Sequence, residues 1–151
     1  MIEYVTGNIL EDTEAKCLVN PVNCVGVMGK GLALAFKKQF PSMFIFYKNI
    51  CDTGHLKPGR CVVWKNFQSP QSILLFPTKS DWRRPSEIPD IEAGLKHFVS
   101  LIGTDILNSE INPIAFPKLG CGLGGLDWEY EIKPLMEEYL SNLNLTIRIY
   151  E

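Results

Sequence analysis

Lys79 stands directly after Phe76-Pro77-Thr78, at the end of an apolar run, and two glycine-rich segments flank it in the chain. An amine at the rim of a crevice, once desolvated or flanked by cations, can act as a nucleophile or base toward a carbonyl-like carbon. Arg83 and Arg84, close by in sequence, could provide the flanking charge. The residues alone favour a plainer arrangement, an exposed lysine paired with Asp81. Pro117 to Trp128 holds Gly120, Gly122, Gly124 and Gly125 around Leu119, Cys121 and Leu123. Backbone N–H groups that turn sharply beside a helix start make an anion site of the kind that suits phosphate.

The first segment runs from Gly26 through Val27, Met28, Gly29 and Lys30 to Gly31. It follows a buried strand pattern ending in Asn20-Pro21-Val22-Asn23. Two glycine loops, each between a strand and a helix, could hold one diphosphate from both sides of a crevice. An amide such as Asn23 can both donate to and accept from vicinal hydroxyls, whereas Asn20 reads as structural, bonding loop backbone. Lys30 is either a phosphate contact or a mobile surface lysine. Gly120, Gly122 and Gly125 fit the GxGxxG spacing, but no acidic residue closes a strand about 20 residues later, against a nicotinamide site.

These loops need strands and helices to position them. Ile2–Val5, Cys17–Asn20, Arg60–Lys65, Ser72–Phe76, Pro113–Phe116 and Leu145–Tyr150 read as strands. Lys30–Gln39 reads as a helix, and a second begins with Ser42 as N-cap and stops at Gly54. Ile91, Leu95, Phe98, Val99 and Ile102 form the stripe of a half-buried helix over Ile88–Gly103. Ile132, Leu135, Met136, Tyr139 and Leu140 repeat that stripe, with Pro134 in the first turn. Asp127 reads better as the N-cap of this last helix than as a catalytic carboxylate. The polar stretch 66–71 reads as a hairpin-like turn. The order implies a three-layer α/β/α domain with a mixed central sheet, one domain over residues 1–151.

Composition narrows the function. The chain has 151 residues, 46% of them hydrophobic and 21% charged, enough for a sizeable core. No apolar run approaches the ~20 residues that span a bilayer, and Met1-Ile2-Glu3-Tyr4 does not start a signal peptide. Five cysteines, odd in number and without CxxC spacing, fit reduced thiols and a cytoplasmic location. Two isolated histidines argue against a metal site, and no cofactor is expected. A net charge of −2 is unlike that of a general nucleic-acid coating protein. Lys37-Lys38 reads as a solvated helix face, while Lys79, Arg83 and Arg84 cluster around Trp82. The chain stops directly after its last strand, which fits a complete protein and a piece of a longer one alike.

Thr6-Gly7-Asn8-Ile9-Leu10, Asn20-Pro21-Val22-Asn23, Gly26–Gly31 and Gly120–Gly125, in this order, resemble the macrodomain pattern across Ile2 to Tyr150. Phe76-Pro77-Thr78-Lys79-Ser80-Asp81-Trp82-Arg83 and Gly120 to Trp128 are similar to the DarG-type branch, antitoxins that remove ADP-ribose from thymidine in DNA. The resemblance implies that Asn8 meets adenine, at a place where the family usually has aspartate, and that Ile9 belongs to the ADP-ribose site. It implies that Asn23 binds the distal ribose, and that Met28, Gly29, Lys30, Gly31 and Thr78 line the site. The diphosphate would lie on the amides of Gly120, Cys121, Gly122, Leu123, Gly124 and Gly125, with Leu119 also in the ADP-ribose site. Lys79 would act on the anomeric carbon of the ribose or as its base. Related lysine enzymes that act on proteins carry an aspartate where this chain has Gly124, and DarG-type sequences have glycine.

The resemblance thus implies ADP-ribose and ADP-ribosylated single-stranded DNA as partners, with a cognate ADP-ribosyltransferase toxin. Trp82 either stacks on a base or packs into the core, and in the first case Arg83 and Arg84 would hold flanking phosphates. The alternatives are a protein ADP-ribose hydrolase, an ADP-ribose 1″-phosphatase, or a binding module without turnover.

Overall fold

The computed structural model describes Met1 to Glu151, the Ser109 side chain excepted. Six strands, β1 (Ile2–Val5), β2 (Cys17–Val22), β3 (Val62–Lys65), β4 (Ser72–Pro77), β5 (Ile114–Phe116) and β6 (Ile147–Tyr150), form one sheet. Its order is β1-β6-β5-β2-β4-β3. Every neighbouring pair is parallel except β3 with β4, so the sheet is mixed. Four helices complete the fold: α1 (Gly31–Gln39), α2 (Pro41–Asp52), α3 (Ile88–Leu101) and α4 (Lys133–Leu140).

The alternation of side chains along each strand divides the core in two. Leu18, Val22, Ile73, Leu75 and Ala115 pack with Phe36, Met43 and Tyr47 of α1 and α2. Val19, Leu74, Phe76, Ile114, Phe116, Ile147 and Ile149 pack with Ile91, Phe98 and Met136 of α3 and α4. The result is the expected α/β/α sandwich. Phe98 of α3 meets Phe116 of β5 edge-on, with centroids 5.3 Å apart, an arrangement worth about 1 kcal/mol beyond burial. Gly94 lets α3 approach the sheet, because a Cβ there would sit 2.7 Å from Cε1 of Phe76.

Pro21 lies inside a central strand, although proline cannot donate to a ladder. The strand tolerates it because β5 pairs only with Cys17 and Leu18, leaving the β5 side of β2 free beyond them. The helix expected to start from Ser42 is capped instead at Phe40, without a side-chain bond, and Pro41 takes its first turn. Proline's preset φ suits that position better than a serine further in. The last helix opens as a π turn at Trp128–Ile132, and Asp127 caps it, accepting from the Tyr130 N–H at 2.6 Å. Glu131 Oε1 in turn accepts from the Asp127 N–H at 2.9 Å. Among the described residues no helix is long and apolar enough to cross a membrane.

Candidate functional site

β2 and β5 are neighbours, yet the chain leaves β2 toward α1 on one face of the sheet and β5 toward α4 on the other. That divergence opens a crevice at the carboxyl ends of the strands, where α/β sheets bind ligands. The loops after β1, β2, β4 and β5 all emerge at this edge, bringing together the segments at Asn8, Asn23–Gly31, Thr78–Arg84 and Leu119–Gly125.

Side chains shape the first loop. Asn23 Oδ1 accepts from the N–H groups of Val25 (3.1 Å) and Val27 (3.5 Å), and Nδ2 donates to the Val27 carbonyl at 2.7 Å. The Tyr47 hydroxyl, fully buried on α2, reaches Asn23 Oδ1 at 2.7 Å and the Asn23 carbonyl at 2.9 Å. Asn23 therefore has one Nδ2 hydrogen left for a ligand. Asn20 does not bond loop backbone as expected. Side chains alternate along β2, so Asn20 faces the α1/α2 layer, where Nδ2 touches only the sulfurs of Met28 and Met43. Its Oδ1 is buried without a partner. Met28 is itself buried in that layer, so its backbone rather than its side chain can line the crevice. Lys30 is exposed and extended at the start of α1, which has no side-chain cap. The free N–H groups of that helix end suit an anion.

Lys79 is stitched to the first loop by its backbone. Thr78, buried, donates its N–H to the Val22 carbonyl at 2.9 Å. Cys24 then donates its N–H to the Ser80 carbonyl at 3.1 Å and its thiol to the Lys79 carbonyl at 3.7 Å. Burial above all, with Cys51 and Asp90 nearby, pushes the Cys24 thiol up to about 12, so it stays a donor. Asp81 does not pair with Lys79. It takes Arg83 in a fork, at 2.9 Å to Nε and 2.6 Å to Nη2. Hydrogen bonds from the Arg83 side chain and N–H hold the Asp81 carboxyl well below its usual range. Trp82 is half exposed, with the Arg83 guanidinium 5.6 Å from its ring centre. It is not core packing. Arg84 is exposed and donates only its backbone N–H, to the Asp81 carbonyl.

The second loop is shaped by backbone and close packing. Leu126 N–H bonds the Gly120 carbonyl at 3.0 Å, and Gly125 N–H bonds that of Gly122 at 3.2 Å. Among the described residues, the N–H groups of Gly122, Leu123 and Gly124 meet no protein acceptor. Consecutive unpaired amides of this kind form an anion nest. Leu119 is buried beneath them, and Cys121 donates its thiol to the Leu119 carbonyl at 3.4 Å. Leu123 projects into solvent toward the first loop, its Cδ1 lying 3.3 Å from where a Cβ on Gly31 would be. A Cβ on Gly124 would collide with Ser86 Oγ and the Gly120 carbonyl. Ser86 is buried, its hydroxyl has no partner, and its N–H holds the Gly124 carbonyl at 3.0 Å. Steric exclusion thus keeps an aspartate out of position 124.

At the outer end, Asn8 caps a 3₁₀ turn (Ile9–Glu11), its Oδ1 accepting from the Leu10 N–H at 3.0 Å. Its amide nitrogen remains a free donor, and Ile9 is buried below. Asp12 anchors this loop to β6 through Arg148 (2.8 Å) and Tyr150 (2.6 Å). Burial opposes its ionisation, but the bonds from Tyr150, Arg148 and the N–H groups of Ala15 and Glu14 prevail, lowering its pKa to about 2.

Among the described residues no cluster of three His, Cys, Asp or Glu is arranged to hold a metal. A cavity of about 670 Å³ opens at the opposite edge, lined by residues including Lys16, Lys65, Phe67 and Gln71. It lies at the amino ends of β2 and β4, away from the diverging strands. The crevice is the better candidate because the amide nest and Lys79 are there. Tyr47, Cys24 and Ser86 escaped the sequence reading. A tyrosine within an apolar helical stripe, whose hydroxyl must find a partner when buried, was the one available signal.

The macro domain family model matches residues 19–133. The chain belongs to the macrodomain family. A DNA ADP-ribosyl glycohydrolase of Mycobacterium tuberculosis is 48% identical to this macrodomain over 132 residues, 85% of the chain and 36% of the relative. The solved macrodomain of Thermus aquaticus DarG is 40% identical, covers 100% of this chain and 98% of its own, and superposes with a TM-score of 0.90. Thermosipho africanus DarTG in complex with ADP-ribose is 36% identical over 99% of this chain and 41% of its own, with a TM-score of 0.88. The macrodomain spans roughly two fifths or less of the curated DNA ADP-ribosyl glycohydrolases it matches, 36% to 41% of their length.

Proposed function

We propose that this macrodomain is an ADP-ribosyl glycohydrolase that removes ADP-ribose from thymidine in single-stranded DNA, in the cytoplasm. In this role it acts as antitoxin to a DNA ADP-ribosyltransferase. ADP-ribose lies along the crevice, adenine at Asn8 and Ile9, diphosphate on the Gly120–Gly125 amides, distal ribose at Asn23. Lys79 acts at the anomeric carbon either as a general base for an attacking water or as a nucleophile whose adduct water then hydrolyses. In both cases the bond from that carbon to the thymine nitrogen breaks, the carbon ends bonded to the water oxygen, and the thymine leaves with a proton that water supplies. The single observation that carries the reading is that Lys79 and the half-exposed Trp82 share one loop at the crevice rim. An indole three residues from the reacting amine offers a stacking face to thymine or its neighbour, worth about 1–3 kcal/mol. Arg84 is free to meet a flanking phosphate, whereas Arg83 must first leave Asp81.

The similarity to DNA ADP-ribosyl glycohydrolases supports the same choice. So does Gly124, since the site admits no carboxylate there. The test compares release of ADP-ribose from a thymidine-modified oligonucleotide and from a modified protein. The native chain is expected to clear the oligonucleotide. Trp82→Ala should slow that clearance at least ~10-fold and leave the affinity for free ADP-ribose unchanged. Release only from protein would overturn the DNA assignment.

A further inference from the structure

We propose that Tyr47 is a positioning residue of this site, holding Lys79 opposite the ribose through Asn23 and Cys24. The inference rests on the glycohydrolase reading above. Tyr47 belongs to α2, outside every loop that lines the crevice, and it is fully buried. Its single proton is shared between Asn23 Oδ1 at 2.7 Å and the Asn23 carbonyl at 2.9 Å.

That contact selects one orientation of the Asn23 amide. Oδ1 faces three donors, the Tyr47 hydroxyl and the N–H groups of Val25 and Val27, while Nδ2 faces the Val27 carbonyl. The flipped amide would set Nδ2 against those N–H groups and Oδ1 against a carbonyl. With the orientation fixed, the second Nδ2 hydrogen has one direction left, toward the crevice. Burial chiefly, and then Cys51, raise the phenol far above its ordinary pKa, so the donor is never lost.

The next residue carries the constraint onward. Cys24 bonds the carbonyls of both Lys79 and Ser80, so a shift of Asn23 moves the backbone that bears the amine. In-line attack tolerates little of this. A misplacement of about 1 Å can cost ~100-fold in rate. Affinity for ADP-ribose is set mainly elsewhere, at the amide nest and the Asn8 loop, and Asn23 adds one hydrogen bond to the ribose, a small part of the whole.

The experiment measures saturating turnover of the thymidine-modified oligonucleotide, calorimetric affinity for ADP-ribose, and melting temperature, for native, Tyr47→Phe, Cys24→Ala and Cys24→Ser proteins. Tyr47→Phe should lower kcat ~10-fold or more with ADP-ribose affinity within ~3-fold of native. Cys24→Ala should do the same to a smaller extent, and Cys24→Ser, which keeps a donor toward the Lys79 carbonyl, should restore most of the loss. In the double variant Tyr47→Phe with Cys24→Ala the losses should be less than additive, as for residues on one line of contact. Native kcat in Tyr47→Phe would overturn the inference. A kcat loss that disappears well below the melting temperature would overturn it too, as simple destabilisation. If the native protein does not clear the oligonucleotide, the glycohydrolase reading fails instead, and that result is separate from any variant.

Discussion

The two glycine loops face each other across one crevice, but they are held in opposite ways. The 23–31 loop is tied by side chains, with Asn23 bonding three backbone groups and Tyr47 fixing Asn23 from a helix. The 119–125 loop has almost no side-chain ties. Its shape comes from turns between its own amides and carbonyls, and from contact with Ser86, Ile91 and Leu126. A loop held by side chains can spend those side chains on orienting a ligand's hydroxyls and a catalytic amine. A loop held by backbone leaves consecutive amides free, which is what an anion needs. The proposed division of labour between ribose chemistry and diphosphate binding would follow from how each loop is built.

The sharpest way to break this contrast is at Gly122. A Cβ there meets nothing within 4 Å, so the residue is not required by the protein's own packing. Gly122→Glu should fold normally yet bind ADP-ribose ~100-fold or more weakly, because a carboxylate would sit where we propose that the amide nest takes phosphate, and lost charge-assisted bonds cost about 3 kcal/mol. Native affinity by calorimetry would show that the nest is not the diphosphate site.

A third loop sharpens the comparison by being held through charge. The Asp12 carboxylate has a folded pKa of about 2 against an ordinary 3.8. Its anchor therefore contributes fully above pH 4 and is lost as the pH falls toward 2, removing roughly 2 kcal/mol of stability. Asp12→Asn should remove that part of the acid dependence and weaken ADP-ribose binding through the Asn8 loop. Urea unfolding from pH 5 to 2 measures it, and identical slopes in native and variant would refute the anchor.

The smallest effects test packing alone. Gly124→Ala should cost about 1–3 kcal/mol, since its Cβ overlaps Ser86 and the Gly120 carbonyl. Gly29→Ala, whose Cβ would make an ordinary 3.5 Å contact with Val27, should stay within about 0.5 kcal/mol. Equal melting shifts in the two variants would erase the steric difference between the loops.

Much of this was legible in the sequence. The apolar runs and helical stripes marked every strand and helix within a few residues, because burial on one face leaves a periodic trace. The glycine spacing located both loops. That Asn23 rather than Asn20 bonds the loop backbone was not legible. Both amides sit at the end of one strand, and which is satisfied depends on Tyr47, delivered by α2, and on the strand face that Asn20 shares with Met28 and Met43. The partner of Asp81 was hidden similarly, because the tight turn brings Arg83 rather than Lys79 back onto the carboxylate. Ser86 left no trace at all, since its importance is the space it denies to position 124.

Lys79 carries the central claim, and one comparison tests it directly. Single-turnover release of ADP-ribose from a thymidine-modified oligonucleotide should fall ~10²–10⁴-fold in Lys79→Ala, with calorimetric affinity for ADP-ribose unchanged. Lys79→Arg should be as slow, since a guanidinium keeps its charge but does not give up a proton. Clearance of the oligonucleotide by Lys79→Ala at the native rate would contradict the role of this residue.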